Sequence, residues 1–139
     1  MQSTATAIAT LAGEILPARD PRVSRDPQGR IARDVEPIVG MACTMPTGSD
    51  STPGTVIEVK ARGGRAYAVV VQEDTYRPVQ NSNYYGVQSY VYRRNPEGQT
   101  ETYTRRKDGR WLAKGVPLRA CGYGAVYFGN RRAYRDPHF

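Results

Sequence analysis

The residues of this chain best suited to chemistry are its tyrosines and arginines. There are ten tyrosines against two phenylalanines and one tryptophan, and arginine supplies most of the 20 basic side chains. Tyrosine rings can stack on nucleic-acid bases, and a guanidinium group pairs with phosphate through two hydrogen bonds. The residue types therefore favour binding to a nucleic acid. Tyrosine rings can equally fill a small β core when their hydroxyl groups find partners.

The segment 87–106 brings these residues closest together. Its pattern predicts a hairpin of strands 87–94 and 99–106 around the turn NPEG, in which Tyr92 faces Glu101 and Tyr90 faces Tyr103. Because side chains alternate along a strand, one face then carries Gln88, Tyr90, Tyr92, Arg94, Tyr103 and Arg105. That face either binds bases and phosphates or forms the core side of the sheet. A shift of one residue would change every cross-strand pair.

Positive charge is concentrated in the later part of the chain. Residues 1–40 have no net charge, so residues 41–139 hold the whole formal charge of +7, and 93–135 alone carry 11 basic and three acidic residues. If the turn at 105–110 and the tail lie on one side, they form a phosphate-binding surface. The predicted nucleic-acid-binding residues are Arg94, Arg105, Arg106, Lys107, Arg110, Arg131, Arg132, Arg135, Tyr90, Tyr92 and Tyr103.

A long polar segment, DTYRPVQNSNYYG at 74–86, suggests a second kind of site. Loops of this length in small domains are often functional, and Tyr, Asn, Ser and Gly are favoured residues in protein-binding loops. The predicted protein-interaction residues are Tyr76, Asn81, Asn83, Tyr84 and Tyr85.

Catalytic and metal-binding motifs are absent from the sequence. The one histidine, His138, is the penultimate residue, and there is no HExxH or phosphate-loop motif. A zinc site needs about four ligands, which two distant cysteines and a terminal histidine do not supply. The carboxylates show no spacing typical of a catalytic pair, including Asp50, Glu58, Glu73, Asp74 and Asp136. We therefore expect no enzyme activity, no metal and no cofactor.

Cys43 and Cys121 are expected to be buried free thiols, although a disulfide between them stays open.

The elements that position these residues divide the chain into three parts. Apolar spacing predicts a short amphipathic helix over 4–16 within a first part, 1–17, which Pro17 ends. Residues 18–37 form an extended arm with few buried contacts, in which repeated Arg-Asp pairs neutralise each other. The helix and arm are candidates for contact with another copy of the chain.

Residues 38–139 change to short β segments with tight turns. Strands are predicted at 41–45, 54–60 and 66–73, the last as the central strand, and RGGR at 62–65 and KDGR at 107–110 are turn signals. The fold class is mainly β, a small antiparallel barrel or strongly bent sheet of SH3-like size. Trp111 is expected in the core. Tyr134 and Phe139 are expected to hold the tail on this domain, with its arginines outward.

Four segments from residue 38 onward resemble small basic β-rich proteins encoded by phages and related bacterial elements: VGMACTMPTGSDSTPGTVIEV, VVVQEDTYR, RRKDGRWLAKG and FGNRRAYRDPHF. The resemblance implies a phage or accessory-gene context and no shared activity. We expect a non-enzymatic nucleic-acid-binding module in the cytoplasm, or in the host cytoplasm if phage-encoded, with no membrane partner. The alternatives are a protein that captures a host defence or transcription factor, and a virion or assembly protein.

Overall fold

A computed structural model describes residues 2–6, 14–31, 35–79, 89–117 and 124–135, with the backbone alone for 2–6. These residues form ten strands and no helix. The strands are β1 (Gln2–Thr6), β2 (Ile15–Leu16), β3 (Ala42–Thr47), β4 (Asp50–Arg62), β5 (Arg65–Glu73), β6 (Thr75–Pro78), β7 (Tyr90–Arg93), β8 (Thr100–Arg105), β9 (Trp111–Ala113) and β10 (Tyr127–Phe128). The prediction of a mainly β fold with a strongly bent antiparallel sheet is confirmed.

The main sheet is a strongly curled antiparallel half-barrel in the order β10-β3-β4-β5-β8-β9, and β1 also pairs with β4. Strand β4 is long enough to pair with β3 along its first half and with β1 along its second half. Two register irregularities between β4 and β5, after Val56 and after Lys60, increase the local twist. The β4–β5 turn is the predicted one, with Gly63 and Gly64 at positive φ.

The core lies on the inner face of this curled sheet. Its centre includes Val56, Val69 and Val71, all without solvent exposure, and the rings of Trp111 and Phe128 meet edge to face at 5.4 Å. The expectation that Trp111 belongs to the core is confirmed. Gly54 allows this packing, because a Cβ atom there would lie 2.7 Å from the Met45 side chain.

The segment 124–128 spans the two edges of the half-barrel. Ala113 N donates to Gly124 O at 2.6 Å and Val126 N donates to Trp111 O at 3.1 Å, which joins the segment to β9. Its last two residues form β10 and pair with Cys43 and Thr44 of β3. This connection fixes the start of the C-terminal tail relative to both sheet edges.

The predicted N-terminal helix over 4–16 is wrong in the described residues. Gln2–Thr6 is a strand antiparallel to Glu58–Arg62, and Ile15–Leu16 is a strand paired with β7, while 7–13 lie outside the described residues. Strand β3 covers only the first half of one edge of β4, so the second half has unpaired backbone N–H and C=O groups. Hydrogen bonding of residues 2–6 to these groups is more favourable than a short helix, which is only marginally stable by itself.

The described part of the arm turns at 20–23 and again at 26–30, where Arg25 pairs with Ile31, rather than running extended. Its expected lack of buried contacts is wrong. Asp20 is only 3 % exposed and accepts a hydrogen bond from Ala42 N at 3.1 Å. Arg25 donates to Gly129 O at 3.0 Å. The expected neutralisation between Arg and Asp is confirmed for Arg22–Asp20 and Arg30–Asp26, at 2.8 and 3.0 Å. The arm therefore packs on the β-domain of its own chain.

The predicted hairpin of 87–94 with 99–106 is wrong, because its two strands belong to different sheets. Strand β7 lies in a small three-stranded sheet, β2-β7-β6, whereas β8 pairs with β5 and β9. Tyr92 faces Tyr76 rather than Glu101, and Tyr103 faces Val69 rather than Tyr90. The NPEG segment crosses between the sheets, and the Gln72 side chain holds it by donating to the carbonyls of 96 and 98.

The loop prediction for 74–86 also changes. Its first residues form β6, which pairs with β7, so the remaining segment joins the two strands of a real hairpin. Asn81, Asn83, Tyr84 and Tyr85 lie outside the described residues.

In the described part of the chain, no helix is long and apolar enough to cross a membrane.

Candidate functional site

Tyrosines and arginines gather where the β6–β7 hairpin meets the tail. We call this the Tyr–Arg surface; it consists of Tyr76, Tyr90, Arg132, Tyr134 and Arg135. The ring of Tyr92, which is only 6 % exposed, packs against it as a buried residue. The rings of Tyr76 and Tyr90 meet edge to face at 5.5 Å, and Tyr90 and Tyr92 are 6.5 Å apart. The Arg135 guanidinium lies 5.4 Å from the Tyr76 ring centre, and that of Arg132 lies 5.7 Å from the Tyr134 ring centre.

The register of the small sheet places the three hairpin tyrosines together. Tyr76 is directly opposite Tyr92, and Tyr90 is opposite Pro78. Directly paired residues share a face, and so do residues two apart on one strand, so all three rings lie on the same face. The other face carries Arg77 and Arg93, which are both exposed.

The tail reaches these rings because its backbone is paired with the start of β4. Ser51 N donates to Tyr134 O at 2.9 Å, and Tyr134 N donates to Ser51 O at 3.0 Å. The Tyr92 hydroxyl accepts a hydrogen bond from Ala133 N at 3.2 Å. The prediction that the tail is held on the domain at Tyr134 is confirmed, while Phe139 lies outside the described residues.

A buried ion pair anchors the tail just before this surface. The side chains of Arg131 and Asp74 are 4 % and 0 % exposed, and Arg131 Nε donates to Asp74 Oδ2 at 2.9 Å. Thr55 Oγ1 donates to Asp74 Oδ1 at 2.7 Å and accepts from Arg131 Nη2 at 3.0 Å. Arg131 also donates to Pro17 O. Burial raises the pKa of Asp74, and the charge of Arg131 opposes that rise. We therefore remove Arg131 from the candidate phosphate-binding residues.

The two arginines of the Tyr–Arg surface are accessible to solvent. Arg132 is exposed, and the Arg135 side chain is 48 % exposed, with its nearest described carboxylate oxygen, on Asp50, 3.9 Å away. Arg135 also donates to the Tyr76 hydroxyl and to Ser51 O. Burial raises the pKa of Tyr90, and the positive charge of Arg135 opposes this rise.

Arg94 adds an unsatisfied donor beside this region. Its Nη1 atom is buried and has no hydrogen-bond acceptor among the described residues. Its positive charge is one of several contributions that oppose the rise in the pKa of Asp74 caused by burial. Because the Nη1 atom is buried, an anion at the surface does not reach it, and Arg94 is not added to the Tyr–Arg surface.

The arginines of the 105–110 turn are held by the protein itself. Arg105 pairs with Glu36 at 2.9 Å and is 11 % exposed, and Arg110 pairs with Asp108 at 2.8 Å. Arg106 donates to the carbonyls of Val116 and Ala113 at 2.6 and 2.9 Å. Lys107 is exposed.

This turn and the tail do not form one surface. The turn lies beside Ala66 of β5, which pairs with Ala61 near the end of β4, whereas Tyr134 pairs with Ser51 near the start of β4. The intervening length of strand is roughly 35 Å at about 3.3 Å per residue. The condition for a combined basic patch is therefore not met, and we withdraw Arg105, Arg106 and Arg110 from the candidate surface.

Tyr103 and Tyr92 are also withdrawn from the candidate nucleic-acid-binding residues, because they are only 5 % and 6 % exposed. Tyr103 belongs to the inner face of the main sheet. Two members of the Tyr–Arg surface come from different sets of predicted residues. Tyr76 is a predicted protein-interaction residue, and Tyr90 is a predicted nucleic-acid-binding residue. Tyr134 was missed as a site residue. Its neighbours in sequence, Arg132 and Arg135, were a signal, but its pairing with Ser51 is a long-range contact that the sequence does not reveal.

No protein-family model, curated protein or solved structure matches the chain.

Within the described ranges, no group of three or more metal-ligating side chains lies together. Cys43 is a fully buried free thiol, and burial raises its pKa. The expectation of a buried free thiol is confirmed for Cys43, and Cys121 lies outside the described residues.

Proposed function

We propose that this protein is a non-enzymatic binding module that holds single-stranded nucleic acid on the Tyr–Arg surface. The supporting observation is that two exposed arginines, Arg132 and Arg135, lie over tyrosine rings beside a row of three contacting tyrosines. A stacking surface next to positive charge is the usual solution for binding single strands without sequence preference.

Each group has a role in this proposal. Bases stack on the three tyrosine rings of the surface, which are partly exposed, and the guanidinium groups of Arg132 and Arg135 contact the phosphates. Arg77 and Arg93 on the opposite face of the small sheet add to the positive field that attracts the strand. Binding through phosphates releases counterions, so affinity falls as salt rises.

The proposal is tested by fluorescence anisotropy with labelled single-stranded DNA, RNA and duplex DNA at low and near-physiological salt. We expect saturable binding that prefers single strands. Tyr90→Leu should weaken binding about 5- to 150-fold, since each stacked base contributes roughly 1–3 kcal/mol, whereas Tyr90→Phe keeps the ring and the affinity.

Tyr67→Leu is the matched control, because the Tyr67 ring also has an arginine over it, Arg62 at 5.4 Å, but near the far end of β4. It should bind as the unmodified protein does. Equal losses for Tyr67→Leu and Tyr90→Leu, or no loss for either, would refute the assignment of the surface.

A second candidate function is capture of a host protein, in the phage or accessory-gene context that the sequence suggests. Its supporting observation is that Ile15 and Val79 of the small-sheet region are 63 % and 44 % exposed. The segment of the predicted protein-interaction residues Asn81, Asn83, Tyr84 and Tyr85 leaves the same hairpin. A complex in host lysate that survives moderate salt and is lost in Ile15→Ser/Val79→Ser would favour this function.

A virion or assembly role, with the N-terminal region contacting another copy, stays a prediction.

A further inference from the structure

One end of the half-barrel interior is a cleft of about 320 Å³ with a chemical character opposite to the rest of this basic protein. Its walls are partly apolar, from Met45, Pro46, Ala113 and Ala125, and its polar part includes the carboxylates of Glu73 and Glu101. This volume lies at the small end of the range for ligand sites. None of its lining residues belongs to the Tyr–Arg surface.

Strand pairing explains why the two carboxylates lie together. Glu101 is directly opposite Val71, and Glu73 follows Val71 by two residues, so both glutamates project from the same face as diagonal neighbours. Among the described residues, neither carboxylate has a cationic partner or a hydrogen-bond donor. Two unpaired carboxylates in one cleft attract a cation, and they repel each other until one is bound.

Tyr103 completes the polar part of the cleft. It follows Glu101 by two residues, so it shares the same face, and it lines the cleft although it is 5 % exposed. Within the described part of the chain its hydroxyl makes no hydrogen bond to the protein, and the oxygen is not among the enclosed polar atoms, so it opens to the cleft that the side chain lines. Burial raises the pKa of Tyr103, and the charge of Glu101 raises it further.

We propose that this cleft is a binding site for an alkylammonium group, with Glu73, Glu101 and the Tyr103 oxygen accepting its three N–H bonds. An ammonium group has three donors and no acceptor, and the phenol oxygen can accept a hydrogen bond. The apolar walls accommodate the methylene chain, as the stem of a lysine is accommodated in proteins. The source of the group is a free diamine or polyamine, or a lysine side chain of a peptide.

An NMR titration of the full chain tests the site with n-butylammonium, 1,5-diaminopentane and N-acetyl-lysine methylamide. We expect saturable shifts at Tyr103 and Thr100, with dissociation constants on the order of millimolar for so small a ligand. A tighter diamine identifies a free polyamine as the source, and a tighter lysine derivative identifies a peptide. n-Butanol and tetramethylammonium should give no saturable shift, because one lacks the charge and the other lacks N–H donors.

Variants separate the site from general electrostatic attraction. Glu73→Gln and Glu101→Gln should each weaken n-butylammonium binding by about tenfold or more, from the loss of a charged hydrogen bond, and Tyr103→Phe by a smaller factor. Glu97→Gln is the matched control, since Glu97 is an exposed carboxylate in the NPEG segment that does not line the cleft.

Three results would overturn the proposal. The first is equal NMR shifts with n-butanol and n-butylammonium. The second is an equal loss of n-butylammonium affinity in Glu97→Gln and Glu101→Gln. The third is displacement of n-butylammonium by Ca²⁺ at a lower concentration, which would identify a metal site instead. Circular dichroism and thermal unfolding of each variant establish that the fold is retained.

Discussion

The two ends of the long strand β4 use arginine in different ways. At the end near Arg62, Arg105 and Arg110 pair with carboxylates, and Arg106 donates to backbone carbonyls. At the end near Ser51, Arg132 and Arg135 are exposed and lie over tyrosine rings. Arg135 is 3.9 Å from the Asp50 carboxylate, a longer contact than the 2.9 and 2.8 Å carboxylate pairs at the other end. The density of arginine in the sequence is similar in both places.

The difference shows that charge alone does not define a binding surface. A guanidinium group whose donors are satisfied by the protein stabilises the fold, and its charge is partly cancelled by its partner. A guanidinium group over an aromatic ring keeps its positive charge. Arg132 is exposed in this arrangement, and Arg135 keeps it while also donating to Ser51 O and the Tyr76 hydroxyl. On this basis the tail end of β4 is the candidate interface and the turn end is not.

The comparison depends most strongly on the anchor of the tail, the buried Asp74–Arg131 pair. Arg131→Met leaves the buried Asp74 carboxylate without a partner and should reduce the free energy of unfolding by about 3–5 kcal/mol. Urea denaturation measures this change. The double variant Asp74→Leu/Arg131→Met removes both charges and should recover part of the loss. A single-variant loss below about 1 kcal/mol would show that the network does not anchor the tail.

A smaller effect is expected at Asp20, which fixes the arm beside the same tail. Burial acts to raise its pKa, but hydrogen bonds from the Arg22 side chain and backbone and from Ala42 N outweigh it, so the pKa falls from 3.8 to about 2. A carboxyl with a lowered folded-state pKa adds stability above its unfolded pKa, and this stability is lost as pH falls from about 4 to 2.

Asp20→Asn should therefore cost about 1–2 kcal/mol at pH 7, after allowance for solvent screening. Thermal unfolding between pH 7 and 2 is the measurement, and the gap between the two proteins should close towards pH 2. Asp26→Asn, which removes the more exposed Arg30–Asp26 pair, is the control and should change the unfolding temperature little. A gap that stays constant with pH would contradict the role of the Asp20 charge.

Much of the main sheet could be predicted from local sequence. The Gly63–Gly64 turn, the apolar run of β5 and the burial of Trp111 all follow from patterns within a few residues. Where the prediction was wrong, a long-range pairing decided the structure. Residues 2–6 pair with the far half of β4, and β7 pairs with β6 rather than with the nearer β8.

The candidate site was predictable in residue type but not in arrangement. The sequence indicated that tyrosine and arginine act together, and Tyr90, Arg132 and Arg135 are members of the Tyr–Arg surface. It did not distinguish Arg131 from its neighbour Arg132, although one is buried and the other exposed. The partner that separates them, Asp74, is 57 residues away. The acidic cleft was missed because its carboxylates come together only through the pairing of β5 with β8.

The most direct test of the central claim compares the salt dependence of single-stranded DNA binding in two double variants. Arg132→Gln/Arg135→Gln and Lys107→Gln/Arg110→Gln each remove two positive charges, one pair from each end of β4. We expect the first to reduce the slope of log K against log salt by about 1.4, since each phosphate contact on a single strand contributes about 0.7, and the second to leave it unchanged. Equal slopes for the two variants would contradict the assignment of nucleic-acid binding to the Tyr–Arg surface.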